Sequence, residues 1–99
     1  MTTPALSVIV PAHNPHPGRL QRALQGLQAQ DLARDRWELL LIDNASEPPL
    51  DPQLLAWHPQ ARVVPEPRLG LSHARLAGLA AARSEEHTSE LQSQFRISY

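Results

Sequence analysis

The chain has 99 residues, which is enough for one small domain. With 41% hydrophobic residues and no cysteine, its composition is typical of a globular protein without disulfides or thiolate metal sites. The formal net charge is −1, and the nine basic residues, all arginine, are scattered among the acidic ones. We therefore expect no nucleic-acid partner, no membrane segment and a cytoplasmic location.

Two different periodicities predict the first strand and the first helix. Residues 6–10 form a short, β-branched apolar run that Pro11 is expected to end, which is typical of a buried parallel strand. Leucine and alanine then recur at helical spacing from Leu20 to Leu27. This spacing predicts an amphipathic helix over about residues 17–30.

The second half of the chain continues the alternation of strands and helices. Asp51 is predicted to cap a short helix, and Ser72 is predicted to cap the last one. The predicted elements are a strand at 37–42, a short helix at 52–57, a strand at 62–64 and a helix at 73–82. The order β-α-β-α-β-α favours an α/β fold with a parallel sheet.

Ligands of open parallel sheets bind beyond the carboxyl ends of the strands. Residues 12–14 follow the first predicted strand and residues 43–46 follow the second, and both segments carry polar side chains. These side chains have the chemistry to contact a nucleobase or ribose. In the alternative interpretation, residues 43–46 only cap a turn and Asn14 only holds a loop.

Three blocks of sequence resemble the start of family-2 glycosyltransferases with the GT-A fold. They are SVIVPAHN at 7–14, WELLLIDNAS at 37–46 and GLSHARLAGLAAA at 70–82, and their order and separation also agree with the family. The resemblance implies a truncated, Rossmann-like GT-A nucleotide-binding half with about three parallel strands. It also implies a sugar-nucleotide donor as the partner.

When the family's site residues are transferred to the matching positions, the resemblance implies that two strand ends and one helix bind the nucleotide. Asn44 stands where a second Asp often reads uracil, and His13 stands where an aromatic ring often stacks on the base. Leu76 replaces an Asn that often follows the arginine of the third block. The implied nucleotide-binding residues are Pro11, Ala12, His13, Asn14, Asp43, Asn44 and Arg75.

The same family places a D-x-D motif and a catalytic base later in the chain. The D-x-D carboxylates hold Mg²⁺ or Mn²⁺ against the leaving diphosphate. No pair of acidic residues here has the D-x-D spacing, and the later segment that would carry the base is expected to be missing. We therefore expect no metal ligand and no catalytic residue in this chain, and we expect the chain to be inactive. Its full-length parent is expected to be a metal-dependent, bacterial, cytoplasmic glycosyltransferase.

The composition changes after Ala82. Residues 83–99 lack Pro and Ala and are rich in Ser, Glu and Gln, and RSEEHTSELQS resembles the forward translation of a sequencing adapter. We predict that residues 1–82 are the glycosyltransferase part and that residues 83–99 are a non-native polar tail that adds no strand. The competing hypothesis is a small, self-contained nucleotide-binding or interaction α/β domain without catalysis.

Overall fold

The computed structural model describes residues 4, 6–30, 33–83 and 87–88, which form a parallel sheet with helices on both faces. Two short 3₁₀ helices, Arg34–Arg36 and Pro52–Leu55, lie in the connections. In chain order the main elements are β1 (Leu6–Ala12), α1 (Pro17–Gln28), β2 (Trp37–Asn44), β3 (Ala61–Glu66), α2 (Leu71–Ala81) and β4 (His87–Thr88).

The sheet has the strand order β3-β2-β1-β4, and every neighbouring pair is parallel. The chain adds β2 and β3 on one side of β1 and then returns to the other side for β4. Because parallel crossovers are right-handed, this reversal places the connections of the two directions on opposite faces of the sheet. The predicted α/β class is confirmed.

Each face of the sheet carries its own apolar cluster. Leu20, Leu24 and Leu27 of α1 pack on the face formed by alternate residues of β1 and β2. On the other face, Ala74 of α2 packs with Ile9 and with two β2 residues, Leu40 and Ile42. No helix in the described residues has the length and hydropathy needed to cross a bilayer.

β1 continues past Pro11, which was expected to end it, and β3 extends beyond its predicted range of 62–64. β1 includes Pro11, and β3 includes Pro65. A proline lacks the backbone N–H, so it is tolerated where one side of a strand has no partner. β4 pairs with β1 only at Ser7 and Val8, and β3 is an edge strand, so both prolines meet this condition in the described sheet.

Of the two helix caps predicted from the sequence, one is present in the structure and the other is not. Asp51 accepts a hydrogen bond from the Gln53 N–H at 2.9 Å and caps the second 3₁₀ helix, as predicted. The prediction of Ser72 as a cap is wrong, because α2 begins at Leu71 with Gly70 as the N-cap residue. Gly70 has φ = 142°, a conformation that favours glycine.

The prediction that residues 83–99 add no strand is wrong at His87–Thr88. These two residues form β4 and pair with Ser7 and Val8 of β1. The crossover through α2 delivers the chain to the free edge of β1, where unpaired peptide groups accept a new strand. The rest of that prediction, for residues 84–86 and 89–99, lies outside the described residues.

A buried carboxylate joins the end of α2 to the two inner strands. Glu38 on β2 is fully buried and accepts a hydrogen bond from the Ser7 hydroxyl of β1 at 2.6 Å. Arg83 donates its backbone N–H and its Nε–H to the same carboxylate. Burial raises the pKa of Glu38, but the hydrogen bonds from Ser7 and Arg83 outweigh burial and hold the pKa below its ordinary value.

We predict that Ser7→Ala lowers the free energy of unfolding by about 1.5–3 kcal/mol, because the buried Glu38 carboxylate loses a donor. Urea denaturation of the purified chain measures this change. Ser72→Ala is the matched control, since Ser72 is exposed on α2, and it should change stability by less than about 0.5 kcal/mol. Equal effects of the two substitutions would contradict the assigned role of Ser7.

The helix α2 approaches the sheet closely at Gly78. A Cβ atom on Gly78 would lie closer to Cγ2 of Ile9 than van der Waals contact allows. Ile9 is buried in β1, so it has little room to move away. The distance between α2 and β1 therefore depends on the absence of a side chain at residue 78.

We predict that Gly78→Ala destabilises the protein by about 1–3 kcal/mol, as overpacking in a filled core does. The loss is expected even though alanine is the better helix former by about 1 kcal/mol. Gly26→Ala in α1 is the control and should raise stability by up to about 1 kcal/mol. Thermal melts of the two variants should therefore shift in opposite directions.

Candidate functional site

The sheet topology brings the two predicted strand ends together. Ala12 is the register partner of Asp43, and Asn44 is the partner of Glu66 on β3. The strand order reverses between β1 and β4, and ligands of doubly wound sheets bind at the carboxyl edge beside such a reversal. Residues 12–14 leave β1 at this point. The candidate site is therefore the carboxyl edge of β1, β2 and β3.

The side chain of His13 is oriented by a backbone carbonyl. Its Nδ1 lies 2.7 Å from the carbonyl oxygen of Asn44. Because a carbonyl only accepts, Nδ1 carries the proton in this contact. Nε2, the other ring nitrogen, lies 3.4 Å from the amide nitrogen of Asn14. The imidazole ring is therefore held at the end of β1 and is only half-buried.

Asn14 links the end of β1 to the loop that follows β2. It has φ = 42°, a left-handed conformation that asparagine tolerates better than most residues. Its backbone N–H donates to the Ser46 hydroxyl at 2.9 Å, and its Oδ1 accepts from the Glu47 N–H at 2.8 Å. Asn14 therefore fixes the distance between the two strand ends.

Asp43 holds the loop after β2 with both carboxylate oxygens. Oδ1 accepts the Ser46 N–H at 3.1 Å, and Oδ2 accepts the Leu50 N–H at 3.0 Å. The residue is 7% exposed. These are the contacts that the turn-capping interpretation requires. Each oxygen has a second lone pair, so the contacts leave capacity for a ligand donor.

Asn44 is fully buried, and its side chain is directed at the loop between β3 and α2. Its Nδ2 donates to the carbonyl oxygens of Glu66 and Arg68, each at 2.8 Å. Its Oδ1 accepts the Gly70 N–H at 2.9 Å. The side-chain amide of Asn44 thus forms hydrogen bonds with its donor and its acceptor within the fold. The direct contact with a base that the family resemblance implies for Asn44 stays a prediction.

The remaining predicted residues lie on two different elements, β1 and α2. Pro11 and Ala12 are buried at the end of β1, and Ala12 packs in the apolar cluster beneath α1. Arg75 is exposed on α2, directly after the buried Ala74. Its contact with a ligand stays a prediction.

Sequence reasoning missed Arg68, which follows the end of β3 at the same edge. Arg68 donates from its backbone N–H and its guanidinium to the Glu66 carboxylate, and Nη2 lies 2.9 Å from Oε1. The side chain of Glu66 is 8% exposed, whereas that of Arg68 is 65% exposed. Applying the strand-end rule to the third strand, as to the first two, would have identified both residues.

A cleft of about 350 Å³ adjoins the candidate site, between the start of α1 and the loop at residues 46–54. Four prolines, Pro15, Pro17, Pro48 and Pro49, contribute to its walls. Among the predicted site residues, all of them described, Asn14 alone lines this cleft. The cleft is therefore a neighbour of the strand-end site and shares one side chain with it.

The family resemblance implies a divalent cation, whose ligands in the family are carboxylates. Within the described part of the chain, no group of three or more His, Asp or Glu side chains is arranged to hold a metal ion. The carboxylates nearest the strand ends, Asp43 and Glu66, are engaged with backbone N–H groups and Arg68. We therefore derive no chemical step through a metal in this chain.

We predict that the Glu66–Arg68 pair makes stability depend on pH in acid. The hydrogen bonds from the guanidinium and then the backbone of Arg68 lower the pKa of Glu66 from 4.5 to about 2. Because the folded-state pKa is the lower one, the stabilisation is present above about pH 4.5 and is lost as the pH falls to about 2.

Urea denaturation at a series of pH values tests this dependence. The free energy of unfolding of Glu66→Gln should fall less steeply than that of the wild type across this window. Glu47→Gln is the control, because Glu47 is exposed and its replacement leaves the Glu66–Arg68 pair intact. Identical slopes for the wild type and Glu66→Gln would show that the pair contributes nothing.

Comparison with known proteins places the chain in a family. The sequence model described as Glycosyl transferase family 2 matches residues 7–87, from the second residue of β1 to the first residue of β4. No curated protein matches the chain. The family match covers most of the chain and includes both strand ends of the candidate site. The protein therefore belongs to glycosyltransferase family 2, and its parallel α/β sheet is of the Rossmann-like type.

Proposed function

We propose that the chain binds the nucleoside diphosphate part of a sugar nucleotide, as the donor-binding half of a glycosyltransferase. The observation that carries the proposal is the convergence of residues 11–14 and 43–44 at one carboxyl edge of a family-2 domain. In a parallel sheet this edge is the usual place for a nucleotide.

In this proposal the base lies beside β1 and β2. Pro11 and Ala12 form the floor, and the ring of His13, oriented by its Nδ1–H contact with the Asn44 carbonyl, stacks on the base. The carboxylate of Asp43 accepts a hydrogen bond from the base or ribose through a lone pair that its loop contacts leave. Arg75 on α2 approaches the diphosphate, where a guanidinium forms charge-assisted hydrogen bonds.

The parent enzyme would transfer the sugar to an acceptor in the cytoplasm, assisted by Mg²⁺ or Mn²⁺ held by carboxylates outside the described residues. The present chain is proposed to bind without transferring. Preorganised charge stabilisation is usually the largest catalytic contribution, and loss of one donor costs about 3–4 kcal/mol. A domain without the metal carboxylates and the base should therefore show no turnover.

A second candidate function is a small nucleotide-binding or interaction domain without catalysis. The observation that favours it is the use of Asp43 and Asn44 in holding loops. In that case the strand-end polar groups serve the fold, and ligands should perturb residues elsewhere.

Titration with uridine and guanosine diphosphates, followed by NMR, tests the proposed function. We expect a dissociation constant in the millimolar range, about −4 kcal/mol, with shifts at Asn14 and Asp43. His13→Ala should weaken binding by roughly tenfold because base stacking is lost. His13→Phe, which keeps a stacking ring but loses the Nδ1–H contact, should weaken it less. Shifts confined to residues away from the strand ends would contradict the site. Sugar transfer on addition of metal would contradict the predicted inactivity.

A further inference from the structure

We propose that His58 and the Gln60 backbone form a pH-sensitive latch, which holds the connection between β2 and β3 closed while His58 is neutral and releases it when His58 is protonated. The latch lies at the amino end of β3, at the opposite end of the sheet from the candidate site. It therefore does not depend on the proposed binding of a nucleotide.

The hydrogen bonding of His58 requires a neutral ring. Its Nδ1 accepts the backbone N–H of Gln60 at 2.9 Å, so Nδ1 offers a lone pair and Nε2 carries the proton. Protonation adds a proton at Nδ1, where it would face the Gln60 N–H, donor against donor. The contact that closes this turn is therefore lost when the ring becomes an imidazolium.

The surroundings of the ring also disfavour a positive charge. His58 is only 4% exposed and lies edge to face against the Trp37 indole, with the ring centroids 4.3 Å apart. Its Nε2 is buried without a hydrogen-bond partner among the residues that the structure describes. The charged group that acts on the ring is the Arg34 guanidinium, which lies over the Trp57 indole, 5.4 Å from its centroid. An imidazolium here would be removed from water and set beside another cation.

The carboxylates on the neighbouring elements are engaged elsewhere or contact the latch through the backbone. Glu38 points to the face of β2 opposite Trp37 and accepts hydrogen bonds there, and Asp51 caps the second 3₁₀ helix. Asp35 contacts the latch through its backbone carbonyl, which accepts from Nε2 of Gln60 at 3.0 Å. The environment of His58 therefore favours the neutral ring.

The sign of the pH dependence follows from this environment. Burial, and then the positive charge of Arg34, lower the pKa of His58 below its ordinary value of 6.5. Because the pKa is lower in the closed form than in the open form, the closed form is fully favoured above about pH 6.5. Its advantage is lost as the pH falls through the lowered pKa.

The latch holds a turn that joins three elements. Besides the contact of its side chain with the first 3₁₀ helix, Gln60 accepts the Leu39 N–H of β2 on its backbone carbonyl at 3.1 Å. The edge strand β3 begins at the next residue. Release of the His58–Gln60 contact therefore loosens the start of β3. The earlier part of the same connection, at residues 46–50, stays held by Asp43.

Tryptophan fluorescence of the full chain tests the latch, because the only two tryptophans, Trp37 and Trp57, both contact the His58 ring. The wild-type signal should change reversibly between about pH 6.5 and 4.5, above the range in which the Glu66 carboxylate titrates. Over the same range, and after correction for the intrinsic effect of pH, amide exchange at Gln60 should become about tenfold faster. Exchange at Leu50 should stay unchanged.

His58→Asn separates titration from hydrogen bonding. An Asn side chain accepts the N–H two residues further on, so it keeps the acceptor near the position of Nδ1 but cannot titrate. The change in fluorescence with pH should be lost in this variant. His16→Asn is the matched control: Nδ1 of His16 accepts the Gly18 N–H at 3.1 Å in the same way, but His16 is exposed. Its fluorescence profile should equal that of the wild type.

Three results would overturn the latch. The first is a tryptophan signal that stays constant over this pH range, and the second is a change that persists in His58→Asn. The third is a parallel loss of far-UV circular dichroism, because the whole domain would then unfold. If His58→Asn does not fold, exchange at Gln60 in the wild type decides, since protection that does not fall with pH also overturns the latch.

Discussion

The carboxyl ends of the strands must satisfy their backbone polar groups without the regular pairing of a sheet. Three short side chains meet this requirement. Asn14 joins the end of β1 to the loop that follows β2. Asp43 accepts hydrogen bonds from backbone N–H groups within that loop, and Asn44 donates hydrogen bonds to the loop after β3. Because buried peptide groups almost always need partners, these contacts determine the shape of the edge. The residues that the family would assign to a ligand are thus also the residues that form the site.

At the amino end of the sheet, a buried carboxylate satisfies hydrogen-bond donors from two other segments. Glu38 is buried between β1 and β2 and receives donors from Ser7 and from Arg83, which follows α2. A buried carboxylate is tolerated when donors compensate its lost hydration. The segment that leads from α2 to β4 is therefore held at Arg83 by the Glu38 carboxylate. The helix that carries Arg75 is anchored at its end by Glu38 and at its start by the Asn44–Gly70 contact.

Much of this architecture could be predicted from the sequence, because the apolar runs of β1 and β2 and the spacing of Leu20 to Leu27 have one plausible burial pattern. The convergence of residues 12–14 with Asp43 followed from parallel pairing. The direction of the Asn44 side chain could not be predicted, since it depends on where residues 66–70 lie in space. The strand at His87–Thr88 was also missed, because its pairing is defined by the open edge of β1 and not by a local pattern.

The contact between Gly78 and Ile9 sets how closely α2, which carries Arg75, lies to the sheet. Gly78 is one helical turn beyond Arg75, on the side of α2 that meets the sheet. A larger residue there would lift the helix and carry the Arg75 guanidinium away from the strand ends. The position of Arg75 relative to the strand ends therefore depends on a buried residue one helical turn away.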